Sequence, residues 1–296
     1  MLVGLTGMGG GSLMTPLLII VAGIKPVTAV GTDLAYGAVT KTVGGWRHFR
    51  HGTVDMGMSG WMAVGSVPSA IGGVYVLEAI KSAYGDVFDD FMLTAVAVAL
   101  LFTGVAVLAR ALFLPSLIDK EKDKVVMTRR NKIAAVGLGV FVGFVLGVTS
   151  AGSGSLIAVG LILLFRLAPK EVVATDVFHA AILLWAAALA HVVAGNVDWS
   201  LMVNILLGSL PGVWIGSHLV TRIDASTLRT ALAIVLIGSG LGLLSKAGAS
   251  IPGGVIAAVP VILAVVVFWQ ERRRREKMRR LELQAGRRPA AEVPGA

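Results

Sequence analysis

"KIAAVGLGVFVGFVLGVTSAGSGSLIAVGLILLFR", residues 132–166, decides how this chain folds. As a single helix these 35 residues would run about 52 Å, well beyond a hydrocarbon core of about 30 Å. The stretch carries its own break, from Gly147 to Gly154, centred on "SAGSGSL" at 150–156. Each glycine inside a helix costs about 1 kcal/mol relative to alanine, so the helix is expected to stop here. The reading is two half-helices, the first over Lys132–Leu146, that fold back at the glycines and re-enter on one side. A similar run, "GMGGGSL", stands at 7–13.

Composition identifies the solvent. The chain has 296 residues, of which 56% are hydrophobic and 15% charged, with a mean hydropathy of +0.84; soluble domains carry about 25% charged residues. Apolar stretches at 57–77, 91–109, 173–190, 200–220, 228–245 and 251–269 match the length of a bilayer span and show no amphipathic stripe. The fold class is therefore an all-α polytopic membrane protein in contact with the lipid bilayer. The absence of cysteine excludes disulfides, thiolate metal sites and cysteine nucleophiles. Five scattered histidines without an H-E-x-x-H pair give no metal cluster, and no cofactor is expected. "GLTGMGGGS" lacks the Gly-Lys-Ser/Thr of a phosphate loop, and Ser153, set in A-G-S-G-S, is no nucleophile elbow.

The net charge of +9 is gathered beside spans. Arg272 to Arg275, Lys277, Arg279 and Arg280 follow the last span; Lys120, Lys122, Lys124, Arg129, Arg130 and Lys132 fill the central connection; Arg47 and Arg50 end an earlier span. Such runs beside spans follow the positive-inside rule and do not point to nucleic acid. The segment 78–90, with Glu78, Asp86, Asp89 and Asp90 against one lysine, is expected to face outward.

Shifted by 143 residues, Gly4–Gly73 lies over Gly147–Gly216 without a gap, and 21 of the 70 positions are identical; chance would give about a twelfth. The matches include Gly9, Gly11, Ser12 and Leu13 on Gly152, Gly154, Ser155 and Leu156, Thr32-Asp33 on Thr175-Asp176, and His48 on His191. Basic loop character swaps sides between the copies: Arg47 and Arg50 have no counterpart in "HVVAGNVD", whereas Arg222 and Arg229 replace the acidic 78–90 region. That favours inverted halves, each a re-entrant pair plus three spans. The expected organisation is a first repeat at 1–115, a basic cytoplasmic connection at 116–131, and a second repeat at 132–246. An added span at 247–270 and a basic tail at 271–296, expected to be disordered and cytoplasmic, complete it. Only Met1–Val3 precede the first motif region, so the first half-helix is expected to be missing, and no basic signal-peptide region is visible.

"GLTGMGGGSLMTPLL", "AVGTDLAYGAVTKTVGGWRHFRHGTVD" and "ATDVFHAAILLWAAALAHVVAGNVDW" resemble the TauE/SafE family of membrane permeases, the sulfite exporter group, over about residues 4–250. The resemblance implies transport of sulfite, organosulfonates or related small organic acids across a bacterial plasma membrane. It departs from the family pattern in the truncated start and in the altered second motif at 150–154.

Independently of the resemblance, a helix broken at glycines leaves free N–H groups at the next helix start, which favour an anion. Gly9, Gly10, Gly11 and Ser12, with Ser150, Gly152, Ser153, Gly154 and Ser155, are the candidate substrate-binding residues; close helix packing is the other reading of such runs. Lys41, with Leu184 as its counterpart, either draws the anion or snorkels towards Arg47. Asp33 and Asp176, at equivalent places near span starts, serve as helix caps or packing groups, or carry protons. His179 either carries protons or is a hydrogen-bonded core histidine. Asp55 and Asp198 read as caps, and Pro68 and Pro211 as kinks. A non-enzymatic secondary permease for a small anion, with protons as the candidate coupling ion, leads an anion channel, a membrane-embedded enzyme and a scaffold.

Overall fold

The computed structural model describes residues 11–113, 125–220 and 225–285. Among these residues the chain forms ten α-helices: α1 Gly11–Ile20, α2 Pro26–Arg50, α3 Met56–Ala83, α4 Phe88–Phe113, α5 Arg129–Thr149, α6 Leu156–Phe165, α7 Pro169–Val193, α8 Trp199–Val220, α9 Ala225–Lys246 and α10 Gly253–Ala285. A 3-10 turn at Gly85–Val87 joins α3 to α4. Among the described residues, Met56–Ala83, Phe88–Ala109, Arg129–Thr149 and Lys170–Val193 are long and apolar enough to cross a membrane. The exterior is as greasy as the core: Val43, Val64, Tyr75, Val105, Val193 and Leu207 are all exposed, which suits a surface bathed in lipid.

The ends of these helices follow local chemistry. Pro26 and Pro169 occupy the first turns of α2 and α7, where a missing N–H costs nothing. Asp55 caps α3, its Oδ1 accepting from Met58 N at 2.9 Å, and Asp198 accepts from Leu201 N at 2.9 Å at the start of α8, as their sequence positions suggested. α3 continues through Pro68 and α8 through Pro211. α2 and α7 are each 25 residues long and start 143 residues apart.

Hydrogen bonds fix how these two helices cross. Asp55 N, beyond the end of α2, donates to Thr175 Oγ1 near the start of α7 at 2.9 Å. Asp198 N, beyond the end of α7, donates to Thr32 Oγ1 near the start of α2 at 3.0 Å. α2 and α7 therefore run antiparallel, with Trp185 Nε1 donating to Thr42 Oγ1 at 2.8 Å along the seam. α4 and α9 also run antiparallel, Gly104 lying against Ala233 and Gly240 against Ala97.

The alternation of directions sorts the charges to two ends. Asp55 Oδ2 accepts from Val125 N at 3.2 Å, which ties the loop after Arg47 and Arg50 to the segment leading into Arg129, Arg130 and Lys132. α10 returns towards that same end, because Pro260 packs on Gly238 of α9 in hairpin fashion. Lys132 lies over Trp61 at 4.9 Å and Arg273 over Trp269 at 3.4 Å, pairings of the kind found at membrane–water boundaries. Glu78, Asp89 and Asp90 gather at the opposite end. Lys120, Lys122, Lys124, Arg222 and residues 286–296 lie outside the described residues.

The tightest packing joins α3 to α5. A methyl group on Gly139, Gly143 or Gly147 would run into the carbonyl oxygens of Met62, Ser66 and Ala70, and one on Gly65 into that of Val136. Glycines four residues apart let the two backbones touch, which is how helices associate where lipid removes the hydrophobic drive.

Candidate functional site

The long apolar stretch breaks where its glycines stand. α5 ends at Thr149; Ser150 takes the left-handed conformation (φ 58°) and its N–H closes on Leu146 O at 2.8 Å. Gly152 and Gly154 follow at φ 102° and 108°, a region that a side chain would strain. α6 then starts at Leu156 and doubles back, since Gly160 meets Leu138 of α5. At 10 residues α6 is about 15 Å long, half a bilayer core. The helix before the break is longer than the expected half-helix over Lys132–Leu146: α5 has 21 residues, because Thr128 caps it ahead of the basic cluster and its apolar register persists to Thr149. The hairpin is thus one long arm and one short arm.

Ser150, Ser153 and Ser155 are all buried within this break. Ser155 sits beside the start of α6 with 3% exposure and a hydroxyl that makes no hydrogen bond among the described residues. Leu156 N–H already donates to Gly152 O at 3.1 Å and Val159 N–H to Ser155 O at 2.9 Å, so the amides of Ile157 and Ala158 are the first-turn donors this end offers to an oxyanion. Gly9 and Gly10 lie outside the described residues. Gly11 and Ser12 open α1, the counterpart of α6, also 10 residues long.

Asp33 is the surprise of the site. A cap reading required it at a helix start; α2 begins two turns earlier, at Pro26, so Asp33 is a fully buried interior residue with 0% exposure. The same correction applies to Asp176, whose helix begins at Pro169. Asp33 Oδ2 accepts two hydroxyl hydrogen bonds, from Thr15 of α1 at 2.6 Å and from Ser150 at 2.8 Å. Its Oδ1 has no hydrogen-bond partner among the described residues. One turn along α2, the buried Tyr36 hydroxyl faces Ser209 of α8 without closing a hydrogen bond.

Asp176 has a different company. Lys41, 5% exposed and with no hydrogen bond on its ammonium among the described residues, interacts electrostatically with Asp176. His179, one turn on, is fully buried, and its Nε2 lies 3.2 Å from Ser66 Oγ of α3. Lys41 does not snorkel to water; it is enclosed about 12 Å along α2 from Asp33 by helix rise. The structure thus brings Ser150 to Asp33 and Lys41 to Asp176, as two separate groups.

The sequence reading missed Thr15, Tyr36 and Ser66. For two of them a signal existed: at the 143-residue offset Tyr36 falls on His179, and Ser66 on Ser209. Each pair puts a polar ring on α2 or α7 against a serine of the other copy's next helix. At the acidic end, His191 Nε2 donates to Gly147 O at 2.9 Å, and Asn196 Nδ2 donates to Glu78 Oε1 at 2.7 Å. Lys81 completes this group, 3.4 Å from Glu78 and 3.3 Å from Asn196 Oδ1. His191 therefore locks the last turn of α5 to α7.

The family model described as sulfite exporter TauE/SafE matches residues 1–243. The chain is 38% identical over 243 residues to the Probable membrane transporter protein YjnA of Bacillus subtilis (strain 168), covering 82% of this chain and 94% of that protein. It is also similar to two further proteins of the same bacterium named as probable membrane transporters. YdhB is 28% identical over 248 residues, 82% of this chain and 95% of YdhB. YunE is 26% identical over 262 residues, 81% of this chain and 91% of YunE. No solved structure matches the chain.

Proposed function

Because the chain belongs to the sulfite exporter TauE/SafE family, we propose that this multi-pass membrane transporter is a secondary permease for a small anion, such as sulfite, an organosulfonate or a related organic acid. It works by alternating access between two inverted halves. Inversion is supported by α2 and α7, equal in length and equivalent in the repeat, which run antiparallel and exchange matching Thr–Asp backbone bonds. Parallel halves would leave equivalent helices parallel. The basic end, including the basic tail from residue 271 onward that closes α10, is cytoplasmic by the charge rule.

The observation that carries the anion reading is the start of α6: a helix N-terminus at a break inside the bundle, with the buried Ser155 hydroxyl beside it making no hydrogen bond among the described residues. Its N–H groups and this hydroxyl bind an oxyanion without needing a fixed full charge, so release stays easy. Lys41, buried two turns along α2, supplies the positive potential that draws the anion inward.

The test is uptake of radiolabelled sulfite by vesicles containing the purified chain, read as exchange against internal sulfite. Saturable exchange is expected. Gly154→Leu, which places a side chain at φ 108°, is expected to reduce exchange to background while the protein still inserts. Unchanged exchange in that variant would remove the break from the pathway.

A further inference from the structure

The α5–α6 break has two electrically opposite ends. The carbonyls of α5's last turn point into it and carry negative partial charge, while the first N–H groups of α6 carry positive. Asp33 stands at the negative end. Its link there is Ser150, the residue that caps α5, and its second link is Thr15 of α1. A carboxylate beside a helix C-terminus repels an anion, so this part of the break cannot belong to the oxyanion's donors. Nor does a basic side chain among the described residues pair with it, since the buried ammonium on the same helix, Lys41, interacts with Asp176. What is left is an Oδ1 without a hydrogen-bond partner among the described residues, on a side chain with 0% exposure. A fixed charge so placed inside a membrane is costly until something neutralises it.

We propose that Asp33, Thr15 and Ser150 form a binding site for one monovalent cation, distinct from the anion donors at the start of α6. The cation is a proton or a sodium ion, and the chemistry is shared: one positive charge delivered to Oδ1. For sodium, the two hydroxyl oxygens and the carbonyls of Val148 and Thr149 supply the remaining ligands, those of Leu146 and Gly147 being held by Ser150 N and His191 Nε2. Ser150 thereby moves from the substrate's residues to the cation's. Because Thr15, Asp33 and Ser150 come from α1, α2 and the break, loading this site ties together three elements, one of which, the break, leads directly into the anion's end. The site deepens the coupling part of the permease reading, and rests on that reading only for its role in transport.

Other ionisable groups nearby are few. α1, α6 and α5 beyond Lys132 carry none. α2 contributes Tyr36, whose hydroxyl feels the Asp33 charge. α7 contributes His191, held by Gly147 O, and α9 contributes Lys246, whose ammonium donates to Ile19 O at 3.1 Å. On α3, Glu78 and Lys81 hold each other at the end of the bundle.

The experiment is thermal unfolding of the purified full-length chain in detergent, with no anion substrate added. In one arm sodium replaces N-methylglucamine at constant ionic strength and pH 8; in the other, pH is lowered without sodium. The wild type is expected to gain about 3 °C or more in Tm in one arm, and that arm names the ion. Asp33→Asn should lose this gain, Ser150→Ala and Thr15→Val should each shrink it, and Ser155→Ala should keep it. If Asp33→Asn does not fold, the Ser150→Ala/Thr15→Val double variant carries the same expectation. A wild type indifferent to both arms, or a gain that survives in these variants, overturns the site. Since no anion is present, that result would leave the permease reading standing, and failed sulfite exchange would leave this site standing.

Discussion

Asp33 and Asp176 hold the same register in two antiparallel helices of equal length, yet their surroundings share almost nothing. Among the described residues, the side chains that hydrogen-bond Asp33 are the hydroxyls of Thr15 and Ser150. Asp176 interacts electrostatically with the buried ammonium of Lys41, and an imidazole stands one turn on where the equivalent position 143 residues earlier holds a phenol. The scaffold around them is still symmetric, down to the reciprocal bonds of Thr32 and Thr175. Across the 143-residue offset the backbone geometry is alike and the polar chemistry differs: Asp33 is hydrogen-bonded by two hydroxyls, whereas Asp176 interacts with an ammonium.

Three experiments bear on that contrast, in descending order of effect. The first is all-or-none. The chain has no native cysteine, so His51→Cys and Ala194→Cys, at the equivalent caps after α2 and α7, should label with an impermeant thiol reagent from opposite sides of sealed vesicles. Labelling from one side would make the copies parallel and dissolve the comparison. Adjacent Gly52 and Gly195 are poorer sites, since both have positive φ.

Charge asymmetry comes next. Lys41→Met removes the cation that only one copy possesses, and sulfite exchange should fall by about tenfold or more, at 1.4 kcal/mol per decade. The mirror change, Leu184→Met, keeps size and neutrality and should cost less than about 1.5 kcal/mol in stability, with exchange near wild type. Equal losses from the two variants would show that Lys41 matters for packing and not for its charge.

The smallest effect is expected where the copies agree. Thr32→Val and Thr175→Val each remove one acceptor from a backbone N–H, at about 0.5–1.5 kcal/mol. Measured as shifts in unfolding midpoint, the two should match. A large disparity would mean that the symmetric hydrogen bonds sit in unequal frames.

Much of this was readable from the chain. The overlong apolar run with glycines at its middle announced the break, and the constant offset placed α7 once α2 was known. Asp55 and Asp198 read correctly as caps because a cap is local: three residues of backbone decide it. The cap alternative for Asp33 failed for the complementary reason. Its neighbours Thr32 and Gly31 resemble a helix entrance, but Pro26 starts α2 earlier and carries the carboxylate into the core. Thr15 was not readable from the repeat, since its counterpart is Ala158 and its partner is set by how α1 lies on α2. The glycines at 139, 143 and 147, by contrast, stood four apart in plain view, and only the partner helix was missing.

Those three glycines also govern mechanics. With bare backbone seated on bare backbone, α3 and α5 have no layer of side chains between them to shear. They must turn as one plank, pinned at its far edge where His191 grips Gly147. Bending between this plank and α6 is thereby handed to residues 150–155, where Ser150, Gly152 and Gly154 all have positive φ.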